Sequence, residues 1–142
     1  MRHDRGFTLV ELMLVVIIIS VLAAIVLPRF AGRQEQAKIG AAKAQIASFC
    51  TALDTFEMEV GRYPTTEEGL DALVEKPPAL GDDVEWNGPY IRELPLDPWN
   101  HEYVYRYPGE VNVDYDIISS GPDGETGTRD DITNYGHKSR ER

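Results

Sequence analysis

Three acidic side chains near the end of the chain are the first with the types and spacing to do chemistry. Asp123, Asp130 and Asp131 stand in Ser119-Ser120-Gly121-Pro122-Asp123-Gly124-Glu125-Thr126-Gly127-Thr128-Arg129-Asp130-Asp131-Ile132. The glycines at 121, 124 and 127 keep such a loop tight and let carbonyls turn inward. The carboxylates are hard oxygen donors, and no His or Cys lies among them, which argues against zinc. Calcium takes about six to eight oxygens, mixing carboxylates with backbone carbonyls, and suits this set best. The loop is not an EF-hand: with Asp123 as position one, position twelve is Asn134 where that motif needs Glu. Solvated turns share this composition, so the residues alone leave a metal seat and an ordinary turn both open.

The second chemical feature is a lone charge. From Phe7 to Leu27 the chain is apolar except for Glu11 and a few small or hydroxyl residues. A helix of that length rises roughly 31 Å, enough for a bilayer core of about 30 Å. One carboxylate near the start of such a span costs about 3 kcal/mol or less when it lies close to the membrane surface. It is either a carboxylate favoured by the helix dipole or a group awaiting a cation from a partner.

The leader before this span, Met1-Arg2-His3-Asp4-Arg5-Gly6, is short and polar. A secretory signal is cut after its apolar core, whereas the candidate cut here, Gly6-Phe7, precedes it and would leave the helix on the mature chain. Arg2 and Arg5 bias this end to the cytoplasmic side and the rest of the chain across the membrane.

Gly6-Phe7-Thr8-Leu9-Val10-Glu11 resembles the class III signal of type IV pilins and type II secretion pseudopilins. The resemblance implies cleavage after Gly6 by a prepilin peptidase, methylation of the new Phe7 amine, and a role for Glu11 in filament assembly. In that role Glu11 pairs with the Phe7 amine of a neighbouring subunit.

The helical period continues past the span. Ile39, Ala42, Ile46, Phe49, Leu53, Phe56 and Val60 recur every three or four residues, and Gly61 with Tyr63-Pro64 supplies a stop. One helix is therefore expected over residues 7–60, interrupted at Pro28. That proline is either a fixed kink just outside the bilayer or a weak point that melts on entry into a filament. Thr65 or Thr66 can cap a short helix ending before Pro77, with Leu70, Leu73 and Val74 on its apolar face. Tyr103 to Tyr107 and Val111 to Ile118 read as two antiparallel strands joined by a turn at Pro108-Gly109-Glu110. The tyrosines suit cross-strand packing, and Cys50 a small core hydrophobe.

Residues 63–78, together with Gly88-Pro89-Tyr90-Ile91 and Asp97-Pro98-Trp99, resemble the major pseudopilins of the type II secretion system. Asn100 stands where that family usually has Gly, and it tolerates a left-handed backbone. The resemblance implies an α+β, pilin-like fold: a long N-terminal helix on a small antiparallel sheet, with a calcium-binding C-terminal loop. It implies calcium on the carboxylates of Asp123, Asp130 and Asp131, with the carbonyls of Ser120 and Thr128 as companions. The expected divisions are a leader (1–6), a membrane helix (7–27), its amphipathic continuation (28–60), a periplasmic head (61–136) and a polar, disordered tail (137–142). The implied function is a structural subunit of the periplasmic pseudopilus, helping to export folded proteins. Implied partners are further copies of the chain, minor pseudopilins, the prepilin peptidase, an inner-membrane assembly platform and membrane lipid. The implied place is the inner membrane of a Gram-negative bacterium, crossed once.

Composition narrows the alternatives. The chain has 14 basic against 24 acidic residues, a net charge of −10, which disfavours a nucleic-acid partner. Its single cysteine cannot close the C-terminal disulfide loop of many type IV pilins, the nearest rival reading. A tethered metal hydrolase is a third class, but no base, open metal position or histidine is evident in the acidic loop. No phosphate-binding loop is present, so assembly would draw its energy from an ATPase elsewhere.

Overall fold

The computed structural model describes residues 6–136, the side chains of 27–31 excepted. The leader arginines and the tail expected to be disordered lie outside the described residues. The first element is α1, Leu9–Val60, a helix of 52 residues. It starts two residues later than expected because Thr8 serves as its cap, and its backbone is helical through position 28. Leu9–Val26 is long and apolar enough to cross a membrane, with a mean hydropathy of 3.1 and none of it buried.

Among the described residues, 38–136 form a compact unit of their own. The apolar stripe lies where the period placed it: Ala42, Phe49, Leu53 and Phe56 are fully buried, Ile46 nearly so, and Ile39 and Val60 pack at the margin. Full burial of one such large side chain stabilises by about 1.5–3 kcal/mol. The helix stops at Gly61, whose φ of +85° suits only glycine readily and whose N–H caps Glu57 O at 2.8 Å.

After α1 the chain makes a turn closed reciprocally by Thr65 and Glu68. Thr65 N–H donates to Glu68 Oε2 (2.8 Å) and Glu68 N–H to Thr65 Oγ1 (3.2 Å). Gly69, at φ +61°, ends that turn, and only a 3₁₀ segment, Leu70–Leu73, follows. The expected helix is thus a capped turn plus one short coil. Thr66 does not cap it; its hydroxyl reaches Tyr107, accepting from the N–H and contacting the carbonyl, both at 2.9 Å.

Among the described residues three short strands form one antiparallel sheet in the order β1-β2-β3: Val104–Arg106, Asp116–Ser119 and Ile132–Thr133. Tyr105 pairs with Ile117, and Ser119 with Ile132. The second strand is shorter than the expected Val111–Ile118. The cause is Asp116, whose buried carboxylate accepts the N–H groups of Glu110 (2.7 Å), Val111 (2.9 Å) and Asn112 (2.9 Å). Those residues wrap round the carboxylate instead of entering the ladder. The third strand carries no sequence signal at two residues. It is prolonged by Asn134, whose side-chain oxygen accepts Ile117 N–H (3.0 Å) while its amide donates to Tyr115 O (3.0 Å).

The tyrosines pack into the core, but against the helix and one another more than across strand pairs. Tyr103 meets Phe49 of α1 edge-on, with ring centroids 5.0 Å apart, Tyr63 meets Tyr115 at 4.9 Å, and Tyr105 meets Tyr115 at 6.0 Å. Cys50 is half-buried against the core, and burial pushes its thiol up from its ordinary range.

Candidate functional site

Two regions carry the candidate residues. At the N-terminus, Gly6, Phe7 and Thr8 lie outside the helix, and Phe7 is 83 % exposed. The Gly6-Phe7 bond is therefore open to a protease. Glu11 sits in the first turn of α1 and forms a capping box with Thr8. Its Oε2 accepts Thr8 N–H at 2.9 Å and lies 3.1 Å from the Thr8 hydroxyl, while Glu11 N–H donates to Thr8 Oγ1 at 3.2 Å. The helix dipole also favours a carboxylate there. The geometry supplies a carboxylate at the base of an apolar helix, hydrogen-bonded to the backbone N–H of the residue after Phe7.

The acidic loop joins β2 to β3. Because Ser119 pairs with Ile132, the two ends of the loop, Ser120 and Asp131, are brought side by side. Gly121 is needed at the crossing: it has φ +62°, and a Cβ there would stand 2.5 Å from the Asp130 carbonyl oxygen. Ser120 is buried, Asp123 exposed, and Thr128, Asp130 and Asp131 half-buried. Asp130 ties the loop together, its Oδ1 accepting the Thr128 hydroxyl (2.6 Å) and its Oδ2 the Asp123 N–H (3.3 Å). The Thr128 hydroxyl holds the Asp130 carboxyl below its ordinary range. Asp131 Oδ2 accepts Gly127 N–H (2.7 Å), and Asp123 Oδ1 accepts Glu125 N–H (2.9 Å).

The carboxylates thus turn onto loop N–H groups. Among the described residues no three His, Cys, Asp or Glu side chains are gathered closely enough to hold a metal ion. The donor chemistry still fits a hard cation, since the candidate ligands are all oxygens and the neighbouring Asp130 and Asp131 carboxylates both meet the Thr128 hydroxyl.

The acidic loop does not stand alone. Asp97, buried at 4 % exposure, donates no charge to solvent but accepts the Ser119 hydroxyl on Oδ2 at 2.6 Å. Sequence reasoning missed this contact, because more than twenty positions separate the two residues. Asp97-Pro98-Trp99 was visible as a motif, but nothing in it shows what the carboxylate touches. Asn100 has φ +72°, the left-handed backbone expected of it.

Comparison with known proteins bears on both regions. Residues 1–27 match the prokaryotic N-terminal methylation motif, and residues 29–135 match type II secretion system (T2SS), protein G. The chain belongs to the type II secretion system protein G family. It is 47 % identical over 135 residues to the type II secretion system core protein G of Escherichia coli (strain K12), covering 94 % of this chain and 92 % of that one. It is 44 % identical to the core protein G of Aeromonas hydrophila, covering 96 % of each. Among solved structures it resembles the major pseudopilin of the type 2 secretion system of enterohaemorrhagic Escherichia coli, with a TM-score of 0.63 and 38 % identity. That match covers 74 % of this chain and 92 % of the other. The match to protein G covers the back half of α1 together with the head.

Proposed function

We propose that this chain is the repeating structural subunit of a periplasmic pseudopilus, polymerising to help move folded proteins across the outer membrane. The observation that carries this is one chain joining an uncovered apolar helix, with a single carboxylate at its start, to a head that matches protein G. Apolar surface on every side of residues 9–26 requires lipid before assembly and neighbouring helices after it. Arg2 and Arg5 hold the N-terminus on the cytoplasmic face, and the head lies in the periplasm. A prepilin peptidase cuts after Gly6 and methylates Phe7. Glu11 then exchanges its Thr8 contacts for the Phe7 amine of the next subunit, so that two charges satisfy each other away from water. An inner-membrane platform and minor pseudopilins are the further partners. Removing the gene should abolish export of several folded proteins and leave surface pili intact; loss of pili with normal export would overturn the assignment.

The acidic loop is the proposed calcium seat, with Asp123, Asp130 and Asp131 supplying carboxylates and Ser120 and Thr128 carbonyls. Calcium there would offset the mutual repulsion of these acids and lock the β2–β3 connection. A site whose dissociation constant lies about 100-fold below ambient calcium adds roughly 2.7 kcal/mol. Calcium should raise the melting temperature of the head by about 10 °C over chelator, and Asp123→Ala should remove the rise. Equal melting with calcium and chelator would make the loop an ordinary turn.

A further inference from the structure

We propose that the turn from Asp97 to His101 is a buttress that sets the shape of the acidic loop, with Asp97 and His101 as positioning residues for calcium. This rests on the calcium reading above. The turn is rigid by construction. Asp97 Oδ1 accepts the N–H groups of Trp99 (3.0 Å) and His101 (2.8 Å), and Asp97 N–H donates to His101 O (2.8 Å). Asn100 N–H closes it on Asp97 O at 2.9 Å.

From this turn two contacts reach the loop at different points. The first is at the root. Asp97 Oδ2 accepts the hydroxyl of Ser119, a fully buried residue and the last of β2, immediately before Ser120. Ser119 Oγ in turn lies 3.4 Å from Gly121 N–H, on the other side of Ser120. The second is near the first acid. The His101 ring packs against Gly124: a Cβ there would lie 3.0 Å from its Nε2 and 3.1 Å from its Cε1. Gly124 follows Asp123 directly and has φ +74°. His101 Nδ1 is buried 3.8 Å from Asp97 Oδ1 without a hydrogen bond, so the imidazole is held by packing.

The loop needs such support from outside. Within it the bonds made by Asp123, by Gly127 to Asp131 and by Thr128 to Glu125 are exposed to water, and only the contacts of the Thr128 hydroxyl with Asp130 and Asp131 are part-buried. The contacts from the Asp97 turn meet it instead at a buried hydroxyl and at a glycine closely covered by the His101 ring. Residues that orient metal ligands without touching the metal typically change affinity by about 10- to 100-fold when removed.

The test is calcium chloride titration of the full-length chain in detergent micelles by calorimetry, for wild type, His101→Ala and Ser119→Ala. Each variant should weaken calcium binding about tenfold or more, while its calcium-free far-ultraviolet spectrum matches wild type. His101 is partly exposed, so His101→Ala decides the matter if Ser119→Ala fails to fold. Variants that bind calcium as tightly as wild type, with only their calcium-free melting lowered, would make the turn a structural support and overturn the buttress. A wild-type titration with no calcium heat would overturn the calcium reading itself, and the buttress with it.

Discussion

The two halves of α1 are one continuous helix built for different surroundings. In the front half Leu14, Val16 and Ile17 are each more than half exposed. In the back half Ala42, Phe49, Leu53 and Phe56 are fully buried, and apart from the buried Ile46 the residues between them are polar or small. An all-round apolar surface demands an apolar medium, whereas a stripe demands one packed face. Burial in the back half belongs to the fold of a single subunit. Burial in the front half belongs to the membrane and to other subunits.

The comparison breaks most readily at Phe49. Phe49→Ala should cost the head about 3–5 kcal/mol, read as a lowered denaturant midpoint of the full chain in micelles, while Leu14→Ala leaves that midpoint unchanged. An equal loss at both positions would mean the front half also packs within the subunit.

Next in size is a charge in the span. Ile17→Lys should cost about 2.5–3.5 kcal/mol of insertion, seen as extraction of the chain from membranes at alkaline pH, with the head still folded.

A smaller effect belongs to the clamp just after α1. Arg62 grips Glu68 through two hydrogen bonds of 2.7 Å, and Arg62→Ala should cost about 1–2 kcal/mol. The Arg62 guanidinium holds the Glu68 carboxyl below its ordinary range. A depressed acid stabilises the fold above its unfolded pKa, and that stability is lost as pH falls through the folded value. Head stability should therefore drop below about pH 4, and less steeply in Arg62→Ala. Identical acid limbs for the two proteins would exclude the clamp as the cause.

The smallest change is expected at Met58, 82 % exposed on the outer side of the back half. Met58→Ser should alter head stability by less than about 0.5 kcal/mol in the same denaturant assay. A large loss would place a packed partner on that face.

Legibility in the sequence followed the range of the interactions. The span, its lone Glu11 and the stripe from Ile39 to Val60 are periodic or local, so residue types alone located them. The second strand is shorter than its β-prone run, because one carboxylate, Asp116, gathers three N–H groups and overrules Val111 and Val113. The third strand leaves no periodic signal because it is two residues long and is extended by the side chain of Asn134. Within the acidic loop, residue types and family spacing named the acids. What holds the loop, Asp97 through Ser119 and His101 against Gly124, exists only after the chain has folded.

The central claim, a subunit that polymerises through its N-terminal helix, is tested most directly by filament yield. Wild type and Glu11→Ala would be expressed with a complete secretion machine, checked for leader removal, and scored by electron microscopy of sheared filaments. Wild type should form filaments, and Glu11→Ala should be cut and folded yet remain in the membrane. Filaments from Glu11→Ala at the wild-type yield would contradict the role of that carboxylate, and a correctly cut wild type that forms none would contradict the account as a whole.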